Sequence, residues 1–229
     1  MHWEWLPHYI PLLFHGLYLT VVLWIVSVIF GGMLSVPIAL AQVAGPWWLR
    51  IPARAYCTFM RGTPLLIQLW LLYYGVGSLF PGIPGIRSSF LWPILKEGFY
   101  YAILAYSLNF AGYVGEIMRG AFLGVPKGEL EAARAFGMSP VKVLFRVWLP
   151  RAVYQVLPTL AGEIVGQMKA TPLAYTITVM DLMGAKAKIT SDTYIMYEPL
   201  ILIAVIYMIL TFILTQAFGY VEKLIPQKR

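Results

Sequence analysis

Ionisable and amide side chains recur at helical spacing inside two strongly apolar segments of this sequence. Within each segment, residues three or four positions apart lie on one face of a helix. Such groups are costly in hydrocarbon, so they predict either a functional pathway or a contact between helices. The set comprises Asn109, Tyr113 and Glu116 in the first segment and Glu163, Gln167, Lys169 and Thr171 in the second.

A carboxylate at Glu163 would suit a substrate that carries a cationic side chain or an α-ammonium group. Glu163 lies twelve residues after Arg151, about 18 Å along a helix and therefore near the middle of a bilayer. Two structural alternatives remain open at this point. Glu163 or Glu116 could pair with Lys169 and close the helix bundle, and Glu116 could pair with Arg119 one turn away.

Other residues of the same segments favour helix packing. Asn109 could form a hydrogen bond between helices, and Gly162 and Gly166 have the spacing that permits close helix approach. Pro172 removes a backbone donor and predicts a kink directly after Thr171.

Few residues suit metal binding or covalent catalysis. Cys57 is the only cysteine, and His2, His8 and His15 lack acidic partners at metal-ligand spacing. The sequence also lacks the Gly-x-x-x-x-Gly-Lys-Ser/Thr phosphate loop. We therefore expect no catalytic residue, no metal site and no cofactor in this chain.

The composition is that of a membrane protein. Of 229 residues, 60% are hydrophobic and 12% charged, against about 45–50% and 25% in soluble domains. We expect one all-α integral-membrane domain over residues 1–229, with a core at about 12–221 and no separate soluble domain. About 20 apolar residues cross a bilayer, which predicts five spans at about 12–43, 64–83, 99–122, 152–180 and 199–221.

Local signals refine these spans. Gly31-Gly32 and Pro37 predict a bend or an early end of the first span. Thr63 is predicted to cap the second helix, with Pro64 in its first turn. Charges of both signs predict an external loop over residues 181–198.

The distribution of basic residues predicts the orientation. Twelve lysines and arginines flank the spans on the side of the C-terminus, and four lie on the opposite side. Positive-inside bias then places the N-terminus outside and the C-terminus in the cytoplasm. The net charge of +7 is therefore attributed to cytoplasmic loops rather than to nucleic-acid binding.

Charges return at helical spacing in residues 124–150, which we call the insert. Pro126 and Gly137 predict the start and end of one short helix. Ser139 and Pro140 predict a second, which Leu149-Pro150 would end. With Lys142 and Arg146 on one face, the insert could rest on the inner leaflet. Alternatively, the small residues Ala132, Ala133 and Gly137 could form a docking surface for a cytoplasmic partner.

The stretch EAARAFGMSPVKVLFRVWLP, residues 131–150, resembles the EAA loop of bacterial ATP-binding-cassette importer permeases. FMRGTPLLIQLWLLYYG (59–75), LNFAGYVGEIMRGAFLGVPKGELEAA (108–133) and GEIVGQMKATPLAYTITVMDL (162–182) are similar to the polar amino-acid subfamily, in particular to M-type permeases for histidine, lysine, arginine and opines. Members often have Lys-x-Thr-Ser-Leu where this chain has KATPL. Pro172 therefore puts any serine-mediated contact in doubt.

The resemblance implies a type I importer permease fold in the bacterial inner membrane. It also implies that the insert docks on a dimer of ATPase subunits, which would bind ATP and magnesium. Further implied partners are a second homologous permease, more often a sister chain than a copy, a periplasmic amino-acid-binding protein and the lipid bilayer. The coupling residues would be Glu131, Ala132, Ala133, Gly137, Ser139, Pro140, Lys142, Leu149 and Pro150.

Two other classes of function remain as rivals. A self-sufficient secondary transporter or channel would give ion-coupled flux from the chain alone, although no inverted repeat is evident. A non-transporting membrane assembly subunit would bind partners without stimulating an ATPase in response to substrate.

Overall fold

Helices make up all the regular structure in residues 3–224, the part of the chain that the computed structural model describes. Shorter 3-10 or π segments lie at Leu71–Val76, Gly77–Gly82, Ile86–Ser88, Leu144–Trp148 and Thr171–Ile177. The α-helices are α1 (Leu6–Val43), α2 (Trp47–Gly62), α3 (Leu65–Trp70), α4 (Trp92–Leu95), α5 (Gly98–Gly124), α6 (Lys127–Ala135), α7 (Pro140–Val143), α8 (Leu149–Ala170), α9 (Leu182–Thr193) and α10 (Tyr197–Leu224). His2, Lys228 and Arg229 lie outside the described range.

The long helix α1 passes through both of its predicted breaks. It has 38 residues, about 57 Å at 1.5 Å per residue, and continues through Pro37. The expectation of an early end at Gly31-Gly32 was wrong. Gly31 instead faces α5, where an added Cβ would lie 2.7 Å from the Ser107 carbonyl oxygen. Close helix packing, rather than a turn, requires this glycine.

The helix α2 was not predicted, because its charges made the segment resemble a loop. It is amphipathic: Cys57 is buried, while Trp47 and Trp48 are 74% and 58% exposed. Exposed tryptophans beside arginines are typical of a helix that lies at a membrane surface.

The second predicted span begins at Leu65 and is helical through Gly82. Its cap was predicted one residue too early, since Pro64 holds the N-cap position with extended backbone. The hydroxyl of Thr63 instead donates to the Phe59 carbonyl (2.8 Å) and accepts from Gln68 Nε2 (2.7 Å). Thr63 therefore ends α2 and holds the side chain of the following helix.

The helix α5 is the centre of the bundle. It packs along α1 and α8 and contributes to two buried clusters, one around Tyr106 and one around Phe110 and Phe122. Its buried face is rich in alanine and glycine. Such small residues permit the close backbone contacts that hold membrane helices together.

The segment predicted as an external loop over 181–198 contains the helix α9. Asp181 caps it by accepting from the Gly184 amide (2.9 Å), and Leu182 and Ile189 are fully buried. The loop prediction was wrong because the polar residues of α9 lie on its outer face, whereas its apolar residues pack with α1 and α10.

Three described helices are long and apolar enough to cross a membrane, namely Leu6–Val43, Leu65–Gly82 and Tyr197–Lys223. The helices α5 and α8 have 27 and 22 residues, which also suffices by length, but they are less apolar. The count of five spans and their orientation remain predictions.

Candidate functional site

The first helix of the insert, α6, ends as its sequence predicts. Gly137 has φ +75°, the left-handed conformation that glycine adopts without strain. The Gly137 amide donates to the Arg134 carbonyl (2.9 Å) and the Met138 amide donates to the Ala133 carbonyl (3.2 Å). This pair of bonds is the Schellman arrangement, which turns the chain sharply after α6.

The second helix of the insert starts as predicted but does not stop as predicted. Ser139 Oγ accepts from the Lys142 amide (3.5 Å), and Pro140 lies in the first turn of α7. The expected end at Leu149-Pro150 was wrong. A π segment, Leu144–Trp148, joins α7 to α8, and Pro150 lies in the first turn of α8. The shifted hydrogen-bond pattern of a π segment tolerates the backbone N–H that proline lacks. The insert is therefore continuous with a helix of the bundle.

Two contacts fix the insert to the bundle. The indole of Trp148 donates to the Phe122 carbonyl (2.9 Å), and the two rings pack with centroids 5.0 Å apart. Glu129 accepts two hydrogen bonds from Arg151 (2.7 and 2.8 Å), which joins α6 to the start of α8. A force on the insert would therefore act directly on α5 and α8.

The outer face of the insert is both charged and apolar. Glu131, Ala132 and Lys142 are exposed, whereas Ala133 is buried. Large apolar side chains on the same segment are also open, with Phe136 87%, Val141 64% and Phe145 61% exposed. Exposed apolar side chains of this size are typical of an interaction surface.

The amide of Asn109 lies in a buried network at the junction of α2 and α3. Its Nδ2 donates to Gln68 Oε1 (3.0 Å) and to the Met60 carbonyl (3.2 Å). Gln68 Nε2 in turn donates to the carbonyls of Met60 (3.0 Å) and Thr63 (3.1 Å). The network supplies partners for carbonyl groups where the two helices break, as buried backbone groups require.

The two remaining predicted residues of α5 also have partners. Tyr113 donates weakly to the Arg61 carbonyl (3.4 Å). Glu116 Oε1 accepts from Arg119 Nε (2.9 Å) and Nη2 (2.6 Å). Of the alternatives open in the sequence, the structure thus has the local pair of Glu116 with Arg119.

The predicted residues of α8 and the following segment fall into two groups. Gln167 is buried and donates to the Tyr106 carbonyl (3.0 Å), and Thr171 is buried beside the Tyr207 hydroxyl (3.0 Å). Glu163 is half-buried and Lys169 is exposed. No ion pair joins Lys169 to a carboxylate within residues 3–224.

One face of α8 has no neighbour among residues 3–224. Gly162, Gly166 and Lys169 recur at helical spacing and are exposed. A Cβ added at either glycine would have no heavy atom within 4 Å. The close approach expected at these glycines is therefore not made by any described part of this chain.

Two residues of the site were missed in the sequence. Gln68 is the only amide in the apolar run LLIQLW, and that isolation was the available signal. Arg61 lies at the end of α2 and lines a polar cleft together with Glu116. The proximity of Arg61 to Glu116 depends on the fold and could not be found from spacing.

The described residues include one buried thiol and no cluster of metal-binding side chains. Burial raises the pKa of the Cys57 thiol above its ordinary value, so the reactive thiolate is disfavoured. Within residues 3–224, no group of three or more histidine, cysteine, aspartate or glutamate side chains could hold a metal ion.

Residues 31–226 match the family described as the inner membrane component of binding-protein-dependent transport systems. The chain belongs to this family. It is 41% identical to the octopine transport system permease protein OccM of Rhizobium radiobacter over 218 residues. The aligned region covers 95% of this chain and 87% of that protein. It is 35% identical to the histidine/lysine/arginine/ornithine transport system permease protein HisM of Escherichia coli K12 over 210 residues. That aligned region covers 92% of this chain and 87% of the relative.

The fold resembles those of two solved transporter structures. The fold matches a chain of an amino acid ABC transporter crystallised with histidines, with a TM-score of 0.82 and 30% identity over 98% of this chain and 99% of that one. It also matches the MetNI methionine ABC transporter, with a TM-score of 0.73 and 19% identity over 93% of this chain and 96% of that one. The second likeness concerns the fold alone.

Proposed function

We propose that this permease component imports amino acids or opines, and that its preferred substrates are polar molecules that present a cationic group. The observation that supports the substrate class is Glu163, a half-buried carboxylate on α8 with no ion-pair partner in residues 3–224. The names of the relatives, which include octopine and histidine/lysine/arginine/ornithine permeases, agree with that chemistry.

The proposed assembly follows from the family. An ATPase dimer would bind ATP and magnesium and attach to the insert, while a periplasmic binding protein would deliver substrate on the opposite side. This chain would form one integral domain of the inner membrane, with five spans and its N-terminus outside. It would perform no covalent chemistry itself.

The insert is suited to transmit movement. Its outer face presents Glu131, Lys142 and Phe136 to solvent, and its inner side is fixed to α5 through Trp148 and to α8 through Arg151. A docked ATPase would therefore move two central helices together. We propose Glu131, Ala132, Ala133, Gly137, Ser139, Pro140, Lys142, Leu149 and Pro150 as the coupling residues.

The open face of α8 is the proposed position of the second permease and of the translocation pathway. Gly162 and Gly166 leave room for a closely packed helix. A sister chain is favoured over a second copy because the named relatives are M-type permeases. Glu163, at the edge of this face, would then meet the substrate between the two chains.

Reconstitution of the complex in liposomes tests this proposal. ATPase activity is measured with and without substrate-loaded binding protein, for the wild type and for Glu131→Lys. We expect Glu131→Lys to abolish stimulation while the chain still inserts. The matched control is Glu222→Lys in α10, which makes the same charge change outside the insert and on the side also predicted to be cytoplasmic.

The outcomes separate the rivals. If loaded binding protein does not stimulate the wild-type complex, the importer proposal fails. Ion-coupled flux from the purified chain alone would favour a secondary transporter or channel. Full stimulation in Glu131→Lys would remove the insert from the coupling contact without affecting the importer assignment.

A further inference from the structure

A polar cleft lies where the ends of α1, α2 and α5 meet. It has a volume of about 350 Å³ and is lined by Gln42, Arg54, Thr58, Arg61, Glu116 and Arg119. Its volume lies within the range of small-molecule sites, about 300–1,000 Å³. None of the coupling residues or the α8 residues discussed above lines it, so the proposed function does not account for this cleft.

The charge of the cleft is unbalanced. Three guanidinium groups and one carboxylate give its lining a net charge of +2. Glu116 is engaged with Arg119 (2.6 Å). Arg54 and Arg61 donate no side-chain hydrogen bond and form no ion pair within residues 3–224. Two guanidinium groups are thus available in one concave site.

Two neutral polar residues, Thr58 and Gln42, also line the cleft. Thr58 is exposed within the cleft and offers a hydroxyl group. Gln42 lies deep, 2% exposed, with its Nε2 on the Cys57 sulfur (3.3 Å) and its Oε1 without a hydrogen-bond partner. Planar guanidinium groups with a nearby hydroxyl group match the oxygens of a phosphate, to which arginine can donate two parallel bonds.

The position of the cleft brings it close to lipid headgroups. It opens beside α2, whose Trp47 and Trp48 are exposed as in helices that lie at a membrane surface. We propose that this cleft binds the phosphate group of an anionic ligand, supplied either by an anionic lipid headgroup or by a free phosphate.

Binding can be measured on the purified full chain in neutral detergent, by the shift in Tm as ligand is added, since a ligand that binds only the folded state raises Tm. The probes are dihexanoylphosphatidylglycerol, inorganic phosphate, and dihexanoylglycerol as a lipid without phosphate. Ionic strength is held constant. We expect a saturable shift with a phosphate probe and none with dihexanoylglycerol.

Charge variants of the cleft have expected effects of opposite sign. Arg54→Gln and Arg61→Gln each remove charged donors and are expected to weaken binding about tenfold or more. Glu116→Gln removes the opposing carboxylate and releases Arg119, so it is expected to strengthen binding severalfold. Arg50→Gln is the control: it lies on the same helix, outside the cleft, and donates to the Gly45 carbonyl.

The probes distinguish a lipid headgroup from a free phosphate as the source of the bound phosphate group. A shift with phosphatidylglycerol alone assigns the site to lipid, whereas an equal shift with inorganic phosphate assigns it to a free anion. The proposal is overturned if no phosphate probe gives a saturable shift, if Arg50→Gln weakens binding as much as Arg54→Gln, or if Glu116→Gln weakens it. Because the chain is tested alone, these outcomes do not depend on its role in transport.

Discussion

The helices α5 and α8 carry polar residues at similar spacing but use them differently. On α5, the side chains of Asn109, Tyr113 and Glu116 all bond within the chain. On α8, Glu163 and Lys169 form no such bond within residues 3–224, and the face beside them is open. The difference supports the proposed division of roles, in which α5 stabilises the bundle and α8 contacts a substrate or a second chain.

The glycines of the molecule follow the same division. An added Cβ at Gly31 or Gly112 would collide with the neighbouring helix, at 2.7 Å and 2.5 Å respectively. At Gly162 and Gly166 it would meet nothing within 4 Å. Substitutions can therefore test separately the contacts of the folded chain and those made with a partner.

The largest effect is expected at the contact of α1 with α5. Gly31→Leu would force a side chain against the Ser107 backbone (2.7 Å) and Phe110 (3.0 Å), at a cost of about 3 kcal/mol or more. Gly32→Leu is the control, because the next residue has open space and leucine favours helix. Size-exclusion profiles and Tm in detergent measure both. Equal behaviour of the two variants would contradict the assigned packing.

The next largest expected effect is a pH dependence of folding stability that comes from a buried carboxylate outside the predicted spans. Asp181 is fully buried and its Oδ2 has no hydrogen-bond partner. Burial raises its pKa to about 7, against about 3.9 for an unfolded chain. The folded state therefore holds this proton more tightly, so stability falls as pH rises from about 4 to 7, by about 1.4 kcal/mol per pH unit.

Asp181→Asn tests this pH dependence. The amide oxygen can still accept from the Gly184 amide, and no charge develops. We expect Tm of the wild type to fall between pH 5 and 7, and the variant to show a smaller slope. Parallel curves for the two proteins would assign the dependence to other groups.

The third prediction concerns the buried network of α5. Asn109→Leu would remove the donor to Gln68 Oε1 (3.0 Å) and to the Met60 carbonyl (3.2 Å). Leaving such buried groups unpaired costs about 1–3 kcal/mol. Tm should fall, while the ratio of uptake rates for cationic and neutral substrates should not change. A changed ratio with an unchanged Tm would place Asn109 in the pathway.

Local signals predicted the parts of the molecule that local chemistry determines. Gly137 and Ser139 mark the ends of the short helices because their own backbone and side chain form those caps. Pro150 was wrongly predicted to end the second short helix, because a π segment before it accommodates the backbone N–H that proline lacks. The helix α9 was missed because burial of Leu182 and Ile189 depends on α1 and α10, which are distant in sequence.

The sequence located the polar residues of the predicted site but not their partners, because the partners also depend on contacts outside the local segment. Spacing placed Asn109 and Glu116 on one face of a helix and Gln167 on the same face as Glu163, but it could not tell whether these side chains bond to protein or to substrate. That distinction depends on partners such as Gln68, Arg119 and Tyr106, which belong to other turns or helices. Glu163 has no such partner within residues 3–224, which leaves its carboxylate available for the proposed contact.

The smallest expected change, and the most specific, is at Glu163. Glu163→Gln keeps the shape of the side chain and removes its charge, so uptake of a cationic substrate should weaken about tenfold, the scale of one charge-assisted bond. Uptake of a neutral substrate should change little, and Tm should stay near that of the wild type. Glu116→Gln is the matched control, because the Arg119 pair (2.6 Å) already occupies that carboxylate. If Glu116→Gln discriminates between the substrates and Glu163→Gln does not, the roles assigned to α5 and α8 must be exchanged.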